Sequence, residues 1–73
     1  MKHFNIRVSA VGRTSGEVSM PSMKNARAVA EAFRLGIDSA RRFTMREIKL
    51  MRVGSVLEAD GAGNSFVILT RTS

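Results

Sequence analysis

The chain contains no cysteine, tryptophan or tyrosine, and it has a single proline and a single histidine. Without cysteine it can form neither a disulfide nor a thiolate zinc site, and one histidine cannot build a metal site by itself. The longest apolar runs, such as residues 66–69, extend over only a few positions. We therefore expect no membrane span, no signal peptide, no metal and no cofactor, which favours a location in the cytoplasm.

The short chain also argues against an enzyme. A domain of 73 residues buries only about 60 % of the surface that its unfolded chain exposes, so we expect one small domain over 1–73 without a large cleft. Nucleophilic catalysis needs an oriented base, and the only imidazole is His3, which we expect to be a solvated residue of a frayed N-terminus. The sequence predicts a protein without catalytic residues.

Positive charge is the strongest compositional signal. Twelve lysines and arginines oppose six acidic residues, for a formal net charge of +6. Most of the excess lies in residues 24–52, and most of the cations are arginines, whose planar guanidinium binds phosphate or carboxylate with two hydrogen bonds. An anionic partner is favoured, either DNA or RNA phosphates or another acidic surface; the alternative is a charge that keeps a small domain soluble.

Alternating apolar residues predict two strands at the N-terminal end. Phe4, Ile6, Val8 and Ala10 alternate with polar residues, which is typical of a strand with one buried face. Residues 12–16 predict a turn, and a second strand then ends near Met20, before Pro21.

A helix follows from Ser22, a good N-cap, because the apolar residues change to helical spacing. Gly36 is placed to end this helix in the left-handed conformation. The apolar stripe consists of Met23, Ala26, Ala30 and Phe33.

Residues 38–50 are ambiguous, because they contain good helix formers while 46–50 alternate like a strand. We favour a strand over 46–53 that follows a loop or helical turn over 38–44. The remaining pattern predicts a tight turn at 53–56, strands at 56–59 and 66–70, and a glycine-rich loop at 60–64. The fold class is then α+β, with a two-layer ββαβββ arrangement of about five antiparallel strands and one helix on one face.

One helix covers only one face of such a sheet, and apolar residues remain for the other face. Contiguous apolar surface often marks an interface, so we expect a homodimer through this second sheet face as one arrangement. The residues concerned are Val11, Met51, Val53, Val67 and Leu69.

The candidate binding site is a basic face of the helix and the segment after it. Its contribution would be independent of nucleotide sequence and sensitive to salt, since no groove-reading motif accompanies it. The predicted residues are Lys24, Arg27 and Arg34 on the helix, followed by Arg41, Arg42 and Arg46.

The order of these pieces resembles small phage-encoded anti-CRISPR proteins that inhibit type I effector complexes. A tight turn at Gly54 and an Asp60-Gly61 hairpin loop complete the resemblance. The matching segments are Phe4-Asn5-Ile6-Arg7-Val8, Ser22-Met23-Lys24-Asn25-Ala26-Arg27 and Met45-Arg46-Glu47-Ile48.

The resemblance implies a phage or mobile-element protein that acts in the cytoplasm of a host cell. Its partner would be a host nucleoprotein complex, the effector complex, which it would bind where target DNA must enter and inhibit sterically. Basic residues near the end of the helix in that family point to Arg27 and Arg34 by position, and to Arg41 and Arg42 by extension. The alternative is an autonomous nucleic-acid-binding protein of low sequence specificity. An oligomeric accessory protein is a third interpretation.

Overall fold

A computed structural model describes residues 2–9 and 16–73 and shows an α+β fold. In this part of the chain, four strands form one antiparallel sheet of order β2-β1-β4-β3, and two helices lie between β2 and β3 in sequence. The predicted α+β class is confirmed, but the predicted five strands and the order ββαβββ are not matched. The elements are β1 (Phe4–Ser9), β2 (Gly16–Met20), α1 (Met23–Gly36), α2 (Met45–Lys49), β3 (Val56–Asp60) and β4 (Phe66–Arg71).

The centre of the sheet pairs the two ends of the chain. Phe4 lies opposite Arg71 and Ser9 opposite Phe66 in the β1–β4 ladder. The pairing continues past the strands, because the His3 N–H donates to Ser73 O and the Thr72 N–H donates to His3 O. His3 is exposed, as predicted, but its backbone is held by the C-terminal segment and is not frayed.

Helix α1 begins where the sequence predicts. The Ser22 side chain accepts a hydrogen bond from the Asn25 N–H, and Ala26 and Ala30 are completely buried. The predicted end is wrong in one detail, because Gly36 is still helical and the left-handed residue is Asp38, with φ of 56°. Asp tolerates this region better than most side chains.

The predicted strand over 46–53 is wrong. Residues Met45–Lys49 form α2, because Thr44 caps a helix there. Thr44 Oγ1 accepts a hydrogen bond from the Glu47 N–H at 3.2 Å, and the Thr44 hydroxyl donates to the Glu47 carboxylate. Ser or Thr followed three residues later by Glu is the pattern of a capping box. Residues 38–44 form a loop, and the turn around Gly54, with φ of 89°, joins α2 to β3 and does not join two strands.

The core lies between the helices and one face of the sheet. It contains residues that the sequence predicts on the opposite sheet face. Val67 and Leu69 are fully buried and Met51 is 5 % exposed. Val67 pairs with Val8, and Leu69 pairs with Ile6, so Val67 and Leu69 lie on the same sheet face as these β1 residues. That face points toward the helices, whereas the sequence prediction places Val67 and Leu69 on the other face. Val53 is exposed in the turn before β3.

Some sequence predictions concern positions outside the described residues. These are the inward position of Ala10, the second-face position of Val11 and most of the turn over 12–16. The glycine-rich loop after β3 and the strand after it are confirmed, as β3 and β4 pair through a hairpin.

Two glycines give opposite predictions for alanine substitution. A Cβ added to Gly61 would lie 2.1 Å from Ile37 O, the oxygen that also accepts a hydrogen bond from the Ala62 N–H. A Cβ added to Gly36 would have no atom within 4 Å. We expect Gly61→Ala to lower the free energy of unfolding by about 1–3 kcal/mol through overpacking.

Gly36→Ala is the matched control. It should raise the free energy of unfolding by about 0.5–1 kcal/mol, because glycine is a poor helix former. Urea denaturation measures both, and a Gly61→Ala variant as stable as the parent chain would contradict the close packing of the β3–β4 loop on Ile37.

Candidate anionic-partner interface

The six predicted site cations do not form one surface, because some of them make internal contacts. Arg34 is the clearest case: its side chain is 13 % exposed, it forms an ion pair with Glu31, and its Nη1 donates to Ser39 O at 3.2 Å. The guanidinium therefore ties the end of α1 to the loop that follows it. Arg34 has a structural role and is poorly available to a partner.

Arg41 is also held internally. Its Nη2 donates to Glu47 Oε2 at 2.7 Å, and its guanidinium lies 5.4 Å from the centre of the Phe43 ring. The side chain is 34 % exposed, and its Nε is buried without a hydrogen-bond partner in the described part of the chain. These contacts fix the loop against α2, since Phe43 is itself fully buried.

Arg42 forms one ion pair within the fold, yet most of its side chain is exposed to solvent. Its Nε lies 3.2 Å from Glu31 Oε1, but 65 % of its side chain is exposed. An exposed ion pair of this kind contributes little to stability, so the guanidinium can turn toward an anionic partner at small cost.

Glu31 is consequently the acceptor for two arginines. Partial desolvation raises the pKa of its carboxyl, but hydrogen bonds from Arg34 and Arg42, with their positive charges, outweigh that effect and hold the pKa below its ordinary value of 4.5. The Glu31 carboxylate thus joins α1 to the loop over 37–44.

The other three predicted cations have no ion pair among the described residues. Lys24 on α1 and Arg46 on α2 are exposed, and Arg27 on α1 is partly exposed. Arg27 and Lys24 lie on the flank of α1 that also carries Glu31 and Arg34, which is the flank facing the loop.

Two more exposed cations lie close to Arg46 in the chain and were not among the predicted site residues. Lys49 and Arg52 are exposed and have no ion pair within residues 2–9 and 16–73. Since 45–49 is helical, Arg46 and Lys49 are three residues apart on one helix face. The signal that would have found this pair is the Thr44–Glu47 cap.

Exposed aliphatic side chains lie among these cations. Leu50 is 71 % exposed and Val53 is 62 % exposed. We call residues 46–53 the basic-apolar segment, with Arg46, Lys49 and Arg52 as its cations and Leu50 and Val53 as its apolar residues. Its single acidic residue, Glu47, forms an ion pair with Arg41.

The basic-apolar segment is anchored at its C-terminal end by β4. Arg71 Nη1 donates to Met51 O at 2.6 Å, and the Gly54 N–H donates to Arg71 O at 2.7 Å. Two residues of the segment itself, Ile48 and Met51, are buried in the core. The arrangement presents three cations and two aliphatic side chains on a backbone that is already ordered, which reduces the entropy lost on binding.

Other kinds of site find little support in the described residues. There, no group of three or more His, Asp or Glu side chains could hold a metal ion. No helix of the described ranges combines the length and the apolarity that crossing a membrane requires.

Comparison with known proteins gives no family: no protein-family model, curated protein or solved structure matches this chain.

The shared carboxylate predicts a pH dependence of stability. The pKa of the Glu31 carboxyl is lowered in the folded state, so the ionised carboxylate stabilises the fold. This stabilisation is fully present above pH 4.5 and is lost as the pH falls through the folded-state pKa. Glu31→Gln should therefore lower the free energy of unfolding by about 1–3 kcal/mol at neutral pH, since it removes the negative charge that pairs with Arg34 and Arg42 and replaces one of the two acceptor oxygens by an NH₂ donor.

Urea titrations of the parent chain and of Glu31→Gln between neutral pH and well below 4.5 measure this difference. We expect the two curves of stability against pH to converge at the acid end. A constant difference over the whole range would show that the Glu31 charge does not stabilise the fold.

Proposed function

We propose that this protein is a non-enzymatic binding protein that inhibits a nucleic-acid-handling complex sterically, by occupying an anionic surface of that complex in the cytoplasm. The basic-apolar segment carries the proposal, with Lys24, Arg27 and Arg42 as additional cations. The single most informative observation is that Leu50 and Val53 stand exposed between unpaired cations.

The combination favours a partner that contains protein. Lysine and arginine bind phosphates or carboxylates, but a bare phosphate backbone offers no apolar surface on which Leu50 and Val53 could be buried. A nucleoprotein complex has both anionic groups and apolar protein surface. Burying one such aliphatic side chain contributes about 1.5–3 kcal/mol to binding, so this discrimination is substantial.

Inhibition of a type I CRISPR effector complex is the most concrete form of this proposal, and it rests on the sequence resemblance to phage-encoded anti-CRISPR proteins. The helix at Met45–Lys49 and the four described strands differ from the layout on which that resemblance was based. A direct test is whether a molar excess of the protein prevents target-DNA binding by a purified type I effector complex. Unchanged DNA binding would remove this form of the proposal.

A second candidate, an autonomous nucleic-acid-binding protein of low sequence specificity, is favoured by the unpaired cations alone. Such a protein would lose affinity linearly in the logarithm of salt concentration, and each neutralised phosphate-binding cation would reduce the slope by about one. Pull-down from a bacterial lysate with and without nuclease separates the two candidates. Retention of one protein partner after nuclease supports the inhibitor, whereas loss of all retained material supports direct nucleic-acid binding.

Variants of the exposed aliphatic residues test the proposal at the residue level. Leu50→Ser and Val53→Ser should each weaken binding to the nuclease-resistant partner by about tenfold or more, because each removes buried apolar area from the interface. The matched control is Leu35→Ser, which removes a leucine that is 62 % exposed on α1, outside the basic-apolar segment. Leu35→Ser should bind like the parent chain.

Neutralisation of the cations provides the complementary measurement. Arg46→Gln with Lys49→Gln should slow association with the partner and reduce its salt dependence, measured by surface plasmon resonance at several salt concentrations. If the serine variants bind normally while the glutamine variants do not, Leu50 and Val53 do not contribute to the interface, and the proposed role of the exposed aliphatic side chains is wrong.

A further inference from the structure

Arg71, the last residue of β4, joins the sheet to the basic-apolar segment through its side chain and its backbone. Its Nη1 donates a hydrogen bond to Met51 O at 2.6 Å. Its carbonyl oxygen accepts from the Gly54 N–H at 2.7 Å, and its own N–H donates to Ser55 O at 3.2 Å. One residue therefore holds the backbone at the end of the segment and in the turn that follows it.

The guanidinium of Arg71 is itself held by the sheet. Its Nε donates to Ser73 O at 3.0 Å, and the His3 N–H donates to the same oxygen at 3.2 Å. Arg71 also lies opposite the buried Phe4 in the β1–β4 ladder, so its side chain lies on the sheet face that points toward the helices. A planar guanidinium with donors engaged in two fixed directions has little freedom to turn toward a partner.

The exposed aliphatic side chains of the segment have little packing of their own to fix their direction. Leu50 directly precedes Met51, and Val53 directly precedes Gly54, so each adjoins a residue that Arg71 holds. The buried Met51 side chain fixes where the chain passes. The hydrogen bond from Arg71 to its carbonyl oxygen fixes how the peptide is turned, and with it the direction of the neighbouring side chains.

We infer that Arg71 is the positioning residue of the basic-apolar segment: it holds the backbone that presents Leu50 and Val53 to the partner and does not touch the partner itself. This role rests on the proposed function, because it concerns the same binding surface. Without the guanidinium, the backbone around Met51 samples more conformations, and binding has to order it again. A segment that is ordered in advance avoids that loss of entropy on binding.

Amide hydrogen exchange of the free protein, measured by NMR, is the first test. Arg71→Met keeps an apolar stem and removes the guanidinium. It should raise the exchange rate of the Gly54 amide by about tenfold or more, while the amides of α1 keep their rates in the parent chain. Unchanged exchange at Gly54, or an equal rise throughout α1, would overturn the inference.

Arg52→Met is the matched control for the loss of a cation. Arg52 belongs to the same segment, and its side chain makes no hydrogen bond or ion pair within residues 2–9 and 16–73. This variant should leave the exchange rate of the Gly54 amide unchanged. A rise equal to that of Arg71→Met would show that any lost cation loosens the turn, and it would overturn the assignment to Arg71.

Binding to the nuclease-resistant partner tests whether Arg71 acts through the aliphatic side chains. Arg71→Met should weaken binding of the parent chain by about fivefold or more, because the segment must then be ordered on binding. The loss should be much smaller in a chain that already carries Leu50→Ser and Val53→Ser. Equal losses in both backgrounds would overturn the inference, since Arg71 would then act independently of these side chains.

The salt dependence of binding separates positioning from direct contact. A cation that binds an anionic group of the partner lowers the dependence of affinity on salt when it is removed. Arg71→Met should therefore leave this dependence unchanged, in contrast to Arg46→Gln with Lys49→Gln. A lowered salt dependence of Arg71→Met would assign Arg71 to the contact surface and overturn its positioning role.

Arg71→Lys keeps the test decisive if Arg71→Met does not fold. Lysine retains the charge but lacks the planar fork that donates in two fixed directions. Exchange at Gly54 should rise and binding should weaken together, both by less than in Arg71→Met, with folding established by circular dichroism. A folded Arg71→Lys variant that binds more weakly without faster exchange at Gly54 would overturn the inference.

The two measurements also separate this role of Arg71 from the proposed function. The exchange measurement needs no partner, so an unchanged rate at Gly54 would overturn the role of Arg71 and leave the proposed function standing. Loss of all retained material after nuclease treatment would instead remove the proposed function, and the binding role of Arg71 with it.

Discussion

The close approach of α1 to the sheet is the constraint on which the rest of the structure depends. Ala26 and Ala30 are fully buried, and their small side chains let the helix lie directly against β1 and β4. Larger side chains from the sheet, above all Phe4, Ile6 and Leu69, form one buried core cluster with the alanines. This packing decides which face of every strand is buried, and α2 completes it with Ile48.

The sequence alone predicts the elements whose periodicity is strong. β1, β2, the start of α1 and the β3–β4 hairpin follow from alternation, from Ser22 and from the glycine-rich loop. The region around α2 could not be assigned from alternation, because a five-residue helix and a short strand place apolar residues at similar spacings. There the hydrogen bonds of Thr44 and Glu47 decide the outcome in favour of the helix. The buried face of β4 is wrongly predicted from the sequence because Val67 and Ile68 are adjacent and both apolar. Either alternate set of β4 residues could therefore face the core.

Composition predicts the candidate site only in part, because a net charge does not say which cations are free. Arg34 and Arg41 are largely engaged by Glu31 and Glu47, so two of the six predicted residues stabilise the fold and do not present charge outward. The available cations shift toward α2, where Lys49 and Arg52 join Arg46. The pairing of Glu31 with Arg42 could not be anticipated, because Arg42 is eleven residues away in a loop.

The pairing of β1 with β4 also governs when the domain can fold. Phe4 and Arg71 are direct partners, so the central ladder joins residues that are nearly the whole chain apart. Contacts of such long sequence separation slow folding, since a large loop must close before they form. During synthesis on a ribosome, β1 can pair with β2 early, but its other edge stays open until β4 has emerged. Of the strands that the structure describes, β4 is therefore the one whose synthesis has to precede completion of the sheet.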